Sequence, residues 1–149
     1  MIATLLGAAL LQGCDPMLYA NARAPLVAPV DSVCLKAALQ ARFGPPDMRP
    51  IVEKRGRKTP AALWLYYGRA AFAQTYHDSG SATLRASKPV ASGLQALFAP
   101  PHARQDSVSR QLGRDVLAMR DACGGRTPEG VSEVEFSRQQ SDINFEAQR

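Results

Sequence analysis

Five apolar residues, Val108, Leu112, Val116, Met119 and Cys123, recur at steps of four, four, three and four, which lays one continuous apolar stripe along a helix. Arg110, Arg114, Asp115, Arg120 and Asp121 fall largely off that stripe, and Gly124-Gly125 supplies a stop. The spacing therefore predicts a helix from about Asp106 to Cys123, and a stripe of that length has to be buried against other elements. A second helix begins at Asp31 or Ser32, either of which can accept a hydrogen bond from an orphan amide of the first turn. Val30, Cys34, Ala37, Ala38 and Ala41 follow at helical spacing, Lys36, Gln40 and Arg42 face away, and Gly44 with Pro45-Pro46 ends the helix. Its alanine-rich face would let it pack closely.

Between the two helices the composition turns to strand. Residues 61–69 carry Trp64, Tyr66 and Tyr67 among leucines, and large aromatic side chains fit a pleated surface. A helix with Thr59 as N-cap and Pro60 at its first position is the competing reading. Phe72, Thr75 and Tyr76 follow, then Asp78-Ser79-Gly80 as a turn and Ala82 to Arg85 as a returning strand. Leu94 to Phe98 reads as one or two helical turns, and Val131, Val134 and Phe136 permit one edge strand. The expected fold is α+β: a small antiparallel sheet of three to four strands packed against two helices. It forms a single domain over residues 31–136, followed by a polar, frayed tail at 137–149.

The N-terminal segment is of another kind. Ile2 to Leu11 is apolar or small throughout, with no charge before Asp15. About ten such residues are too few for a transmembrane helix, which needs roughly 20, but they suit the apolar region of a signal peptide. Leu11-Gln12-Gly13-Cys14 resembles the lipobox of bacterial lipoproteins, with a small residue just before the cysteine and a leucine three positions ahead of it. In that family the thiol is acylated, the chain is cut before the cysteine, and the new amino terminus is acylated. The resemblance covers about the first tenth of the chain. It implies a signal peptide at residues 1–13, lipid attachment at Cys14, and a place on the extracytoplasmic side of a bacterial cell membrane, inner or outer. Two features depart from the pattern: no Lys or Arg precedes the apolar run, and Gln12 stands where members mostly carry a small or β-branched residue. Residues 14–30 contain Pro16, Pro25 and Pro29 without clean periodicity, so they read as the acylated cysteine and a flexible tether reaching up to about 50 Å.

With Cys14 assigned to lipid, Cys34 and Cys123 remain as an even pair, which in an oxidising compartment is most simply one disulfide. Such a bridge would join the start of the first helix to the end of the second, and helices lying side by side would then be antiparallel. Neither cysteine has a His or Cys neighbour at the spacing zinc requires, so no metal is expected. The net charge of +5 and pI near 9.4 would suggest nucleic acid for a cytoplasmic protein. Outside the cytoplasm they suit anionic lipid or an envelope polymer. Arg49, Lys54, Arg55, Arg57 and Lys58 cluster with only Glu53 to offset them. No aromatic residue is interleaved there, so the stacking platform for single-stranded nucleic acid is missing.

Catalytic signatures are absent from the sequence. It contains no G-x-S-x-G, H-E-x-x-H, phosphate-binding glycine loop or C-x-x-C. His77 sits on the proposed turn beside Asp78, and His102 follows two prolines with no acid within three residues. Trp64, Tyr66 and Tyr76 form a candidate ligand face, while core packing is the favoured use of the same aromatics, since a small domain must bury most of its few. The expectation is a membrane-anchored cell-envelope lipoprotein with a non-enzymatic binding or scaffolding role and no cofactor. The alternatives are an envelope hydrolase or accessory subunit, or a carrier of a small ligand or lipid on the aromatic face.

Overall fold

A computed structural model of the chain describes residues 16–46, 54–55, 60–65, 70–77, 80–99 and 105–142. In chain order the elements are strand β1 (Pro16–Leu26), helix α1 (Ser32–Phe43), strands β2 (Lys54–Arg55), β3 (Pro60–Leu65), β4 (Ala71–Tyr76) and β5 (Ala82–Ser92), helices α2 (Gly93–Phe98) and α3 (Ser107–Ala122), and strand β6 (Glu135–Asp142). The fold is α+β. All strands join one six-stranded antiparallel sheet in the order β2-β3-β4-β5-β1-β6. The expected meander is β3-β4-β5; β1 and β6 extend it beyond β5.

Both long helices start where capping chemistry places them. The Asp31 carboxylate accepts from the Val33 amide, and Asp106 accepts from the Ser109 amide. Gly44 ends α1 in the left-handed region, φ +82°. α3 buries Leu112, Val116 and Met119, as its stripe predicts. α1 corrects the expected alanine face: it buries Leu35 and Leu39, while Ala37 and Ala41 stay exposed. Leucine removes more apolar area from water than alanine, so the helix turns that pair inward. Asp115, expected on the surface, is buried and accepts from Arg42 Nε at 3.0 Å, Arg42 Nη2 at 2.7 Å and Gln111 Nε2 at 2.9 Å.

The tether expected at residues 14–30 is corrected by β1, an inner strand paired along its length with β5 and with β6. Its even-numbered side chains Ala20, Ala22, Ala24 and Leu26 are buried under the helices, beside Ala82, Leu84 and Ala86 of β5. This floor of small side chains lets α3 approach the sheet closely. The tail expected from residue 137 is likewise corrected as far as Asp142, because β6 runs antiparallel to β1 from Glu135 to Asp142. Arg138 of β6 forms an ion pair with Asp106, the N-cap of α3.

After α3 the two glycines do different work. Gly124 adopts φ +69°, while a Cβ on Gly125 would come within 2.9 Å of Arg120 Cγ and 3.1 Å of both Leu26 Cδ2 and Val30 Cγ1. The chain can therefore pass close beneath the end of β1 only with glycine there. Buried Gln74 clamps the same region: it accepts from the Val30 amide at 2.9 Å and donates to the Val30 carbonyl at 3.0 Å.

Candidate functional site

Two regions of the molecule carry features that packing alone does not use. The first is the end of the sheet where β1 begins. Met17 pairs with Ser92, the last residue of β5, and α2 follows immediately. Gln140, opposite Leu18 by way of β6, donates from Nε2 to the carbonyls of Ala96, Leu97 and Ala99 and so fastens the C-terminal turn of α2 to the sheet. Ala96 is buried beneath the helix. On its outer side Leu94, Leu97 and Phe98 are 52%, 40% and 75% exposed. Three apolar side chains at i, i+3 and i+4 share one helix face, so they form a patch.

The second region is the sheet face turned away from α1 and α3. Side chains alternate along each strand, so Asn21 and Arg23 of β1 point opposite to Ala20, Ala22 and Ala24. The register sets Asn21 beside Ser87 and Arg23 beside Arg85. Ser87 Oγ donates to Asn21 Oδ1 at 2.5 Å. Burial, and after it the neighbouring Arg23 charge, pull the Arg85 guanidinium below the usual arginine range. The flanking positions on this face are Ala71 and Ala73 of β4 and Glu135 and Ser137 of β6.

Cys34 and Cys123 form a disulfide, with Cα atoms 5.8 Å apart. Arg42 meets Asp115 eight residues further along α1 and eight residues back along α3, so the two helices run antiparallel. Trp64 takes the core-packing role and not that of a ligand face: it is only 7% exposed and lines the core with Phe72, Leu35 and Leu39. Tyr76 also lies on the helix side of the sheet, where its hydroxyl accepts from Gln74 Nε2 at 3.2 Å and lies 3.3 Å from Ser32 Oγ. A small domain gains more from burying these rings than from displaying them. Tyr66 lies outside the described residues, as do Cys14, Arg49, Arg57, Lys58 and His102. Lys54 and Arg55 form β2, paired with Ala61 and Pro60.

His77 sits on the β4–β5 turn, exposed, with Nε2 2.8 Å from Thr83 Oγ1. Among the described residues no three His, Cys, Asp or Glu side chains gather as metal ligands. The cavity under the helices, lined by Leu35, Leu39, Trp64, Phe72, Val116 and Met119 among others, measures about 10 Å³. That is room for about one water and none for an acyl chain. Compared with known proteins, the chain matches no family model, no curated protein and no solved structure. The readable chemistry is therefore that of the described residues themselves: an exposed apolar helix face at the end of the sheet where β1 begins, and a sheet face carrying Arg23, Arg85 and Asn21.

Proposed function

We propose that this chain is a lipoprotein of the bacterial cell envelope, anchored through acylated Cys14 on the extracytoplasmic side, and that its domain acts as a non-enzymatic binding or scaffolding module seated directly on the bilayer. The observation that carries this reading is the coincidence of two features at one end of the sheet. β1 starts at Pro16, two residues after Cys14, so the folded domain begins within about 7 Å of the acylated residue. The exposed apolar face of α2 sits at that same end. A domain on so short a leash is held against lipid, and Leu94, Leu97 and Phe98 are the side chains it would lay into the interface.

The Cys34–Cys123 bridge suits an oxidising compartment. Among the described residues no helix is long and apolar enough to cross a membrane. Seating on α2 also directs the basic segment. Eight residues of β1 separate Met17 from Pro25, the level of the sheet reached by β3 next to Lys54 and Arg55, and these span about 26 Å. Salt screens charge within about 8–10 Å. On this reading β2, with Lys54 and Arg55, lies away from the anchoring bilayer, and an anionic envelope polymer is the partner proposed for the basic segment that also holds Arg49, Arg57 and Lys58.

Metabolic labelling with a fatty-acid analogue tests the anchor. The wild-type chain should take up label and Cys14→Ser should not. Label retained by the serine variant removes the basis of the reading.

A further inference from the structure

The sheet face turned away from α1 and α3 gathers hydrogen-bond donors that lack acceptors. Asn21 is 2% exposed, its Oδ1 is engaged by Ser87, and its Nδ2 has no hydrogen-bond partner. A buried amide N–H without an acceptor is rare and asks for an explanation. Two residues along the same strand and face stands Arg23, directly opposite Arg85 of β5. Cβ atoms of such cross-strand pairs lie about 4.5–5.5 Å apart, and like charges rooted at that spacing destabilise a sheet. Among the described residues neither guanidinium has a hydrogen bond or an ion pair. Glu135, beside Arg23 on β6, is exposed and bonds to neither.

An amide donor and two guanidiniums are thus rooted on one patch of a sheet, and among the described residues none of the neighbouring oxygens, Glu135 included, receives them. Guanidiniums hold phosphate oxygens through paired N–H donors, and two of them match a doubly charged oxyanion. We propose that Arg23, Arg85 and the Asn21 amide form a binding site for a phosphate group carried by a soluble ligand. The site does not depend on Cys14 being acylated. Arg23 lies six residues along β1 from Met17, about 20 Å from the α2 end of the sheet, so a seated domain would hold the site clear of the headgroups of its own bilayer.

The test uses the full chain in detergent micelles, titrated with inorganic phosphate against chloride at matched ionic strength. Phosphate should raise the melting temperature saturably and shift the side-chain amide resonances of Asn21. Arg23→Gln and Arg85→Gln should each weaken binding by at least tenfold, and the double variant should lose the saturable response. Removing one of two facing like charges should leave the melting temperature in chloride unchanged or higher, which separates lost binding from lost folding. A linear, non-saturating response, or a double variant that still binds phosphate, overturns the site. A parallel arm offers vesicles of phosphatidylglycerol: protection by vesicles without a response to inorganic phosphate would assign the arginines to lipid headgroups and overturn the soluble-ligand proposal.

Discussion

Asp106 shows how one side chain can hold three elements. Its carboxylate caps α3 by accepting from the Ser109 amide at 3.0 Å, and it pairs with Arg138, whose strand β6 pairs with β1. The amide hydrogen bond, helped by the Arg138 charge and opposed by desolvation, holds its pKa below the ordinary carboxylate value of about 3.9. A depressed pKa in the folded state means that the native protein favours the ionised form. The resulting stability is fully present above the unfolded value and is lost as pH falls through the folded one. Asp106→Asn keeps a good N-cap but loses the charge. The variant should melt below the wild type at pH 7, and the gap should close as pH drops below about 4. Thermal unfolding followed by circular dichroism at pH 7, 5 and 3 reads this directly; a gap that does not narrow between pH 5 and pH 3 would show that the charge contributes nothing. Asp115 makes a different use of a carboxylate, as a buried acceptor of three hydrogen bonds, two of which, from Arg42, join α1 to α3.

At the scale of elements, that ion pair and the disulfide tie the two long helices at points eight residues apart on each. The bridge closes a loop of 89 residues, and losing such a constraint typically costs about 2–5 kcal/mol. Cys34→Ser with Cys123→Ser should lower urea stability by that amount while the near-ultraviolet spectrum stays native, because Arg42–Asp115 and the shared core keep the helices in place. A double variant as stable as the parent would mean that the bridge is incidental. The helices were legible in the sequence because their signals are local: caps, stops and the 3.6-residue period. β1 was not, because Ala20, Ala22 and Ala24 alternate too weakly to read as a strand and Pro16 and Pro25 suggest a linker. Its strand state comes from pairing on both sides and from α3 above. β6 offers Phe136 as its buryable apolar side chain, and is held by edge pairing, by Arg138 and by Gln140, all of them long-range. β5 was expected to stop near Arg85, since a proline in an inner strand argues against one. Pro89 is accommodated where the β1–β5 register shifts between Leu18 and Tyr19, beyond the reach of β4. The same limit hid the arginine patch: Arg23 and Arg85 stand far apart in sequence, and only the register of a strand that read as linker brings them together.

The whole molecule has two unlike ends, and its orientation follows from which one meets lipid. The start of β1 and the α2 patch share one end; β2, with Lys54 and Arg55, lies toward the other. Fully burying a leucine or phenylalanine side chain is worth about 1.5–3 kcal/mol. If Cys14 is acylated as proposed, partial burial of Leu94, Leu97 and Phe98 in the interface is enough to orient the domain. Lipid seating by the basic segment would instead lay the domain over and leave α2 in water. The two arrangements differ in which residue touches acyl chains. In vesicles whose lipids carry bromine on the chains, a tryptophan introduced as Phe98→Trp should be strongly quenched, and one introduced as Lys54→Trp should not. Trp64 lies in the core and supplies the same unquenched background in both. Quenching at position 54 and none at 98 would reverse the orientation and return the basic segment to the bilayer. Equal and weak quenching at both would mean that the domain stands off the membrane although β1 begins two residues after the proposed anchor.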